Sequence, residues 1–364
     1  MTGHAENLKL VPVQRLKIER IVSGLLKWFA ANARNLPWRR TQDPYAVFIS
    51  EIMLQQTQVK TVIPYYERWM RALPTMADFA RARPARVLKL WEGLGYYRRV
   101  RLAQAAARLV MAQYAGRFPE TLDEVLALPG VGRYTAGAIC SIAFNQPTPI
   151  LDGNVIRVLT RLLGIAGDPR SKTVNAQLWR AAEELVAATG EPSQLNQGLM
   201  ELGALICLPR QPKCPSCPLR RDCFALRHNR VEEFPTPKPG ASATSRRFIA
   251  LVVSDGERLL VRRRPARVVN AGLWEFPNVE VAVNTKNFRK LIAPFQLSAR
   301  APFLRVRHSI TRYRILLEAY RAEIPAGADY AEAGAAWKTP AEIKKLPFTS
   351  AHGKVLRKAN AEDR

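Results

Sequence analysis

Two acidic residues and four thiols are the side chains with the most definite chemical possibilities. Glu51 stands among Phe48, Ile49, Ile52 and Met53 in a stretch of helical period. If its side chain turns inward, loss of water raises its pKa and favours the protonated form, which is how a general acid is prepared. The same position would also suit a structural glutamate paired with one of the many arginines. Asp152 sits near the end of the stretch LPGVGRYTAGAICSIAFNQPTPILDGN, residues 128–154. The apolar run Val155, Ile156, Val158 and Leu159 after it places it at or near a helix cap, where backbone amides hold a carboxylate still. Cys207, Cys214, Cys217 and Cys223, spaced Cys-x6-Cys-x2-Cys-x5-Cys, can enclose one metal centre. Tetrahedral zinc is chemically possible, but zinc ligands usually come as two close pairs, and the long first gap suits a cube-shaped iron–sulfur cluster better. The fifth cysteine, Cys140, lies inside an apolar run and reads as core.

These side chains need elements to hold them. LPGVG puts Gly130 and Gly132 where the backbone must turn with positive φ, and a helix-forming run from Arg133 to Phe144 follows at once. Amides left uncovered there suit a phosphate oxygen, although an ordinary helix-to-helix turn has the same spelling. Upstream, residues 15–34 carry Leu16, Ile21, Leu25, Leu26, Trp28 and Phe29 at the spacing of an amphipathic helix. Asp43 and Pro44 start a second helix, which the spacing continues through AVFISEIMLQQTQVKTVIPYYERWM. Its amides Gln55, Gln56 and Gln58 can read base edges or wedge into a stack, and a solvated face would look alike. WEGLGYYRRVR, residues 91–101, sets Tyr96 and Tyr97 beside Arg98, Arg99 and Arg101. That is either rings for bases with cations for phosphates, or a buried aromatic turn.

After Asn154 the chain reads as helical through Val186, is interrupted at Gly190 and Pro192, and resumes from Leu195 to Leu205. HNRVEEFPTPKPGASATSRR, residues 228–247, has the Pro, Ser and charge content of a linker. Beyond it FIALVVSDGERLLVRRR reads as two strands about an Asp-Gly turn. GLWEFPNVEV, a helix from about Thr285 to Ala293, the alternating RVRHSITRYRILLEAYRAE and a short basic helix complete an α+β texture.

A chain of 364 residues is long for one core, so two domains are expected. Fifty-six Lys and Arg against 30 Asp and Glu leave a net charge of +26, which calls for a polyanionic partner, nucleic acid ahead of an anionic membrane surface. No apolar run approaches the roughly 20 residues needed to span a bilayer, and the N-terminus lacks a signal peptide's apolar core. A cytosolic protein with reduced thiols is the expectation. No internal repeat is visible.

With SEIMLQQTQV, WEGLGYY, LPGVGRYTAGAI, ILDGNV and the cysteine array in this order, the first 230 or so residues resemble the helix-hairpin-helix DNA glycosylases of the endonuclease III superfamily. Within them the likeness is to the A/G-specific adenine DNA glycosylases, and it extends to their Nudix-like C-terminal domain. The resemblance implies an all-α glycosylase domain of two helical modules over residues 1–228, with a [4Fe–4S] loop at 207–223. A linker at 229–246 and an α+β Nudix-like lesion-recognition domain at 247–364 follow. It implies a monomeric cytoplasmic, nucleoid-associated enzyme of base excision repair, with no membrane role, whose partner is double-stranded DNA carrying adenine opposite 8-oxoguanine or guanine. By the same likeness Glu51 is the general acid that protonates the adenine, Asp152 the carboxylate that stabilises or adds to the sugar cation, and Asn154 the neighbour that orients it. Tyr134 packs at the sugar, Gln56 and Tyr96 fill or wedge the helix around the lesion, Gly130 and Gly132 meet the backbone, and the four clustered cysteines bind the cluster.

The chemistry is coherent, because adenine is a poor leaving group and needs both a proton on the base and negative charge near the sugar. A base must also leave the stack first, which is cheaper at a mismatch. Relatives that cut the strand use a lysine where Tyr134 stands, and tyrosine forms no Schiff base, so a monofunctional glycosylase is expected. Two departures matter. A Phe-Ser-His loop that contacts 8-oxoguanine is here Ile310, Thr311 and Arg312, of which Thr311 retains a hydroxyl for the lesion. The run of glutamates that binds magnesium in a working Nudix hydrolase is missing after Gly272. Competing readings are a glycosylase and lyase for oxidised pyrimidines, and a non-enzymatic DNA-binding protein with a structural metal.

Overall fold

The computed structural model describes residues 12–236, 243–310, 312–326 and 330–362. The chain divides into two compact units, Met1–Ala80 with Leu102–Pro239, and Arg81–Arg101 with Gly240–Arg364. Thr311 lies outside the described residues. Among the described residues no helix is long and apolar enough to cross a membrane.

The first unit is helical: α1 Pro12–Asn32, α2 Pro44–Leu54, α3 Val59–Ala72, α4 Met76–Arg81, the part of α6 Arg98–Gln113 from Leu102 onward, α7 Leu122–Leu126, α8 Arg133–Phe144, α9 Gly153–Leu163, α10 Lys172–Ala187, α11 Pro192–Leu205 and α12 Phe224–Arg227, while the first turn of α6, through Arg101, belongs to the second unit. The α5 helix, Pro84–Leu90, belongs to the second unit. One core is built from α1 and α8 to α11, with Ile21, Leu25, Leu159, Leu178, Leu199 and Leu202 buried together. Leu16 departs from the expected apolar stripe of α1 and is 63% exposed. α2 is buried at every position from Tyr45 to Met53, as a helix apolar on all sides must be. Asp43 caps it through Tyr45 N with Pro44 in the first turn.

Two predicted helices are shorter than their spacing suggests. The segment from Ala46 through Met70 is not continuous, because Gln56 takes φ 57° and Gln58 becomes the N-cap of α3. The helical reading from Asn154 to Val186 breaks at Gly164, whose φ of 72° ends α9 and whose missing side chain leaves room for the Phe224 ring.

The second unit holds two sheets over β1 Thr244–Val253, β2 Leu259–Arg263, β3 Trp274–Glu275, β4 Asn278–Val281, β5 Gln296–Leu297, β6 Leu304–Ile310, β7 Tyr313–Glu323 and β8 Ala335–Lys338, with α13 Pro340–Ile343 and α14 Ser350–Glu362. One sheet runs β4-β1-β7-β5 with β6 also on β7, and the other runs β3-β2-β8. β1 and β7 pair in parallel from Thr244↔Tyr313 to Val253↔Ala322. Ala250 and Val252 enter one core while Ile249, Leu251 and Val253 enter another, so this strand is buried on both faces. The strands flanking the Asp-Gly turn therefore do not form a hairpin ladder: they join different sheets and share only the bridge Ser254↔Leu259. The helix expected from Thr285 to Ala293 shrinks to a single 3-10 turn, Arg289–Ile292, anchored by buried Phe288 and Ile292. Of the stretch read as linker, residues 231–233 form a 3-10 turn and Phe234 is buried, held by Arg161 Nε donating to its carbonyl at 2.9 Å.

Candidate active site

Glu51 lies in the last turn of α2, 4% exposed. α8 brings Tyr134 against it, and the Tyr134 hydroxyl donates to Glu51 Oε2 at 2.8 Å with Met200 Sδ of α11 as a second neighbour at 3.3 Å. Gln55 Nε2 donates to Thr135 Oγ1 at 3.2 Å, tying the end of α2 to the start of α8. Burial pushes the Glu51 carboxyl up to about 7; the Tyr134 hydroxyl opposes this by favouring the charged form, and Asp152 adds to it as a like charge. Burial and the two carboxylates raise the Tyr134 phenol well above its ordinary value, so it remains a donor.

Asp152 is the N-cap of α9, with Oδ1 accepting from Val155 N at 2.7 Å and Oδ2 from Asn154 Nδ2 at 3.0 Å. Burial raises this carboxyl too, but the Val155 amide, Asn154 and Arg157 each favour its charged form. Close approach of backbone fixes where Asp152 stands. A Cβ on Gly137 of α8 would lie 2.1 Å from Pro149 O, and one on Gly203 of α11 would lie 2.6 Å from Asn154 Cβ. Neither position tolerates a side chain. Glu51, Tyr134, Asp152 and Asn154, named from sequence alone, are thus held in one unit with direct bonds or mutual electrostatic influence among them.

Three residues at this site escaped the sequence reading. Arg157 donates through Nη2 to Asn154 Oδ1 at 2.8 Å and Gly203 O at 2.8 Å, and through Nε to Cys207 O at 2.6 Å, so one guanidinium spans the Asp152 cap and the first cysteine. Met200 touches the Tyr134 hydroxyl. Beside it on α11, buried Glu201 accepts from Arg34 N, Nε and Nη2 and from Arg39 Nη2. A polar residue next to an apolar helix face was the only available signal for Glu201, and its partners lie too far away in sequence to be inferred.

Cys207, Cys214, Cys217 and Cys223 line one cavity with Val158, Leu162, Leu202 and Leu219. Arg161 crosses its wall, Nη1 at 3.5 Å from Cys207 Sγ and 2.7 Å from Leu208 O. Among the described residues no three Cys, His, Asp or Glu side chains converge closely enough to hold a single ion. Cys140 is fully buried on α8, with Glu120 O as its neighbour at 3.8 Å.

The expected surface residues fall at strained corners. Gln56 is exposed at the break between α2 and α3. Gly130 has φ 81°, and a Cβ there would meet Leu102 Cβ at 2.6 Å. Gly132 differs from expectation: it is the extended N-cap of α8 with φ −104°, so only one of the two glycines supplies the left-handed turn. Gly93, Gly95 and Tyr96 all take positive φ, and the Tyr96 ring is 47% exposed while Tyr97 is buried. Of the three arginines after them, Arg99 folds back between the Trp91 and Tyr96 rings and donates to Leu94 and Gly95 carbonyls, which makes it a staple of the turn instead of a phosphate ligand.

A family model described as HhH-GPD superfamily base excision DNA repair protein matches residues 49–184, and a NUDIX domain model matches residues 248–358. The adenine DNA glycosylase of Rattus norvegicus is 36% identical over 92% of this chain and 77% of its own length; that of Homo sapiens is 34% identical over 92% and 73%. Among solved structures, a thermostable thymine-DNA glycosylase aligns with 59% of this chain and 99% of its own, with a TM-score of 0.55 at 32% identity.

Proposed function

The chain belongs to the adenine DNA glycosylase family, and from that premise we propose that it removes adenine mispaired with 8-oxoguanine or guanine in duplex DNA. The single observation that carries the mechanism is the bond from the Tyr134 hydroxyl to Glu51 Oε2 in a site that also feels the charge of Asp152.

Once the adenine leaves the stack, its departure from C1′ needs a proton on a ring nitrogen. Glu51 supplies it. With Tyr134 bonded to Oε2, Oε1 is the oxygen free to carry the acidic proton, and a carboxyl near 7 keeps that proton available at neutral pH. Asp152, its two oxygens occupied by Val155 N and Asn154 Nδ2, keeps a fixed orientation and a negative charge to meet the sugar cation. Water then adds to the sugar carbon and releases a proton, which replaces the one Glu51 gave to the base, so the products are adenine and an abasic site with the acid restored. Tyrosine at 134 offers no amine, so strand cleavage through a Schiff base is not part of this cycle.

The Cys-x6-Cys-x2-Cys-x5-Cys spacing suits a [4Fe–4S] cluster better than zinc, and the four thiols that would hold it line one cavity. Such a cluster, once bound, supplies cross-links that order the loop between Cys207 and Cys223. Gly130 and Gly132 serve the DNA backbone, Gln56 and Tyr96 the stack around the lesion, and the Nudix-like unit reads 8-oxoguanine. The enzyme works as a monomer on nucleoid DNA in the cytoplasm.

Single-turnover excision from duplexes carrying A opposite 8-oxoguanine, G, C or T, beside thymine-glycol DNA, tests this reading. The expected order is 8-oxoguanine, then G, with the others far slower and borohydride trapping weak. Preferred attack on thymine glycol with strong trapping would replace it by a pyrimidine glycosylase and lyase.

A further inference from the structure

Arg262, Arg263 and Arg264 follow one another at the end of β2, and strand alternation separates them. Arg262 and Arg264 both donate to buried Glu275, and Arg262 also pairs with Glu332. Arg263 leaves on the other side. Its guanidinium flanks Gly272, where Arg101 arrives from the first turn of α6: a Cβ built on Gly272 would stand 3.5 Å from Arg101 Nη2 and 3.7 Å from Arg263 Nη2. Two cations therefore share one small region within a single unit.

Among the described residues neither guanidinium has an ion pair or a side-chain hydrogen bond, although Glu275 neutralises both sequence neighbours of Arg263 at once. Arg263 is exposed and Arg101 half-buried. Burial and the neighbouring Arg263 charge both lower the Arg101 pKa, the mark of an uncompensated positive site. Folding builds this pair deliberately. The segment that carries Arg101 is clasped to the same unit by Lys89 Nζ donating to Leu346 O at 2.9 Å and by Glu92 Oε1 accepting from Phe348 N at 2.9 Å. Gly272, at φ 70°, keeps the space between the two forks clear.

We propose that Arg101 and Arg263 form an anion site that grips one phosphate of the DNA backbone. Two planar forks presenting several N–H donors match a tetrahedral phosphate, and with both donors arriving from different segments the contact registers the strand as well as attracting it. The proposal rests on duplex DNA being the substrate, but on no step of excision.

The test uses the full chain and a lesion-free duplex, with affinity measured by fluorescence anisotropy across a series of potassium chloride concentrations. Replacing either Arg101 or Arg263 by Ala is expected to weaken binding several-fold and to lower the slope of log affinity against log salt by about 0.9, the value for one phosphate. The double variant should lose little more slope than either single one, and Arg263→Lys should retain most of it. Unchanged slopes in variants whose thermal melting matches the parent would overturn the site, as would a double variant whose slope loss is the sum of the two. A titration with dGTP separates the sources of phosphate: stabilisation by dGTP that both variants lose, with the DNA slopes intact, would reassign the pair to a free nucleotide and overturn the backbone contact. Because the duplex has nothing to excise, a failed adenine reading would leave these results standing, and a failed anion site would leave excision untouched.

Discussion

Glu51 and Glu201 are both buried glutamates of the helical unit, 4% and 1% exposed, yet they stand at opposite ends of the carboxylate range. For both, burial disfavours the charge. At Glu201 the guanidiniums of Arg34 and Arg39 more than offset it and hold the carboxyl down at about 2. At Glu51 the direct partner is an uncharged phenol, and the carboxyl rests near 7. The difference shows that burial by itself does not make an acid catalyst; withholding a directly bonded cation does. Arg39 marks the boundary, since it bonds Glu201 and acts on Glu51 only through its field.

The comparison breaks most visibly when the acid is removed. Glu51→Gln keeps shape but carries no exchangeable proton of comparable acidity, so single-turnover excision should fall by about 10²–10⁴-fold while affinity for the mispair stays close to the parent's. An excision rate within a few-fold of the parent's would place the acid elsewhere. Glu201→Ala attacks the other member. It leaves Arg39 in a buried site without its counter-charge, and should cost about 3 kcal/mol of stability in denaturant melts. The sign with pH follows from the depressed carboxyl: Glu201 stabilises the fold above its ordinary value of 4.5, and that contribution disappears as pH falls towards 2. A variant with the parent's acid limb would show that the Arg34 and Arg39 pairing is energetically idle.

Local chemistry was legible in the sequence and long-range pairing was not. Asp152 could be placed at a cap because capping depends on the next three residues, and Asp43 with Pro44 for the same reason. The four cysteines could be grouped from their spacing, and they do line one cavity, because they are neighbours along the chain. Arg34 and Glu201 stand 167 positions apart, and nothing in either neighbourhood names the other. Arg157 reads as one more surface arginine on an amphipathic helix, whereas it links Asn154 to the Cys207 loop. The break at Gln56 was hidden because neither proline nor glycine marks it; a glutamine takes the left-handed conformation instead. Strand identity at the Asp-Gly turn was readable, but the sheets those strands join were chosen by β7 and β8, more than fifty residues downstream.

A finer test of the contrast is its pH dependence. Excision that needs protonated Glu51 should hold level on the acid side of about 7 and fall close to tenfold per pH unit above it. The same raised carboxyl makes the fold less stable as pH climbs from 4.5 towards 7, because the unfolded chain sheds that proton first. Glu51→Gln should remove this decline, so the stabilities of parent and variant should run parallel below about 4.5, separate between 4.5 and 7, and run parallel again above neutrality. A rate profile flat through pH 8, or stabilities that separate only below about 4.5, would assign Glu51 to the class of Glu201.

Tyr134→Phe should produce the smallest effect and separates the two glutamates most finely. The hydroxyl bonds the charged form of Glu51 more strongly than the neutral form, so its removal raises the carboxyl further and moves the alkaline limb of the excision profile to higher pH. The rate on the acid plateau should drop a few-fold, because Glu51 loses the bond that orients it while Met200 Sδ loses its neighbour. A limb that stays in place, or moves towards acid, would mean that the titrating group governing excision is not bonded to Tyr134, and the contrast between a phenol-bound and an arginine-bound glutamate would no longer explain which of them does chemistry.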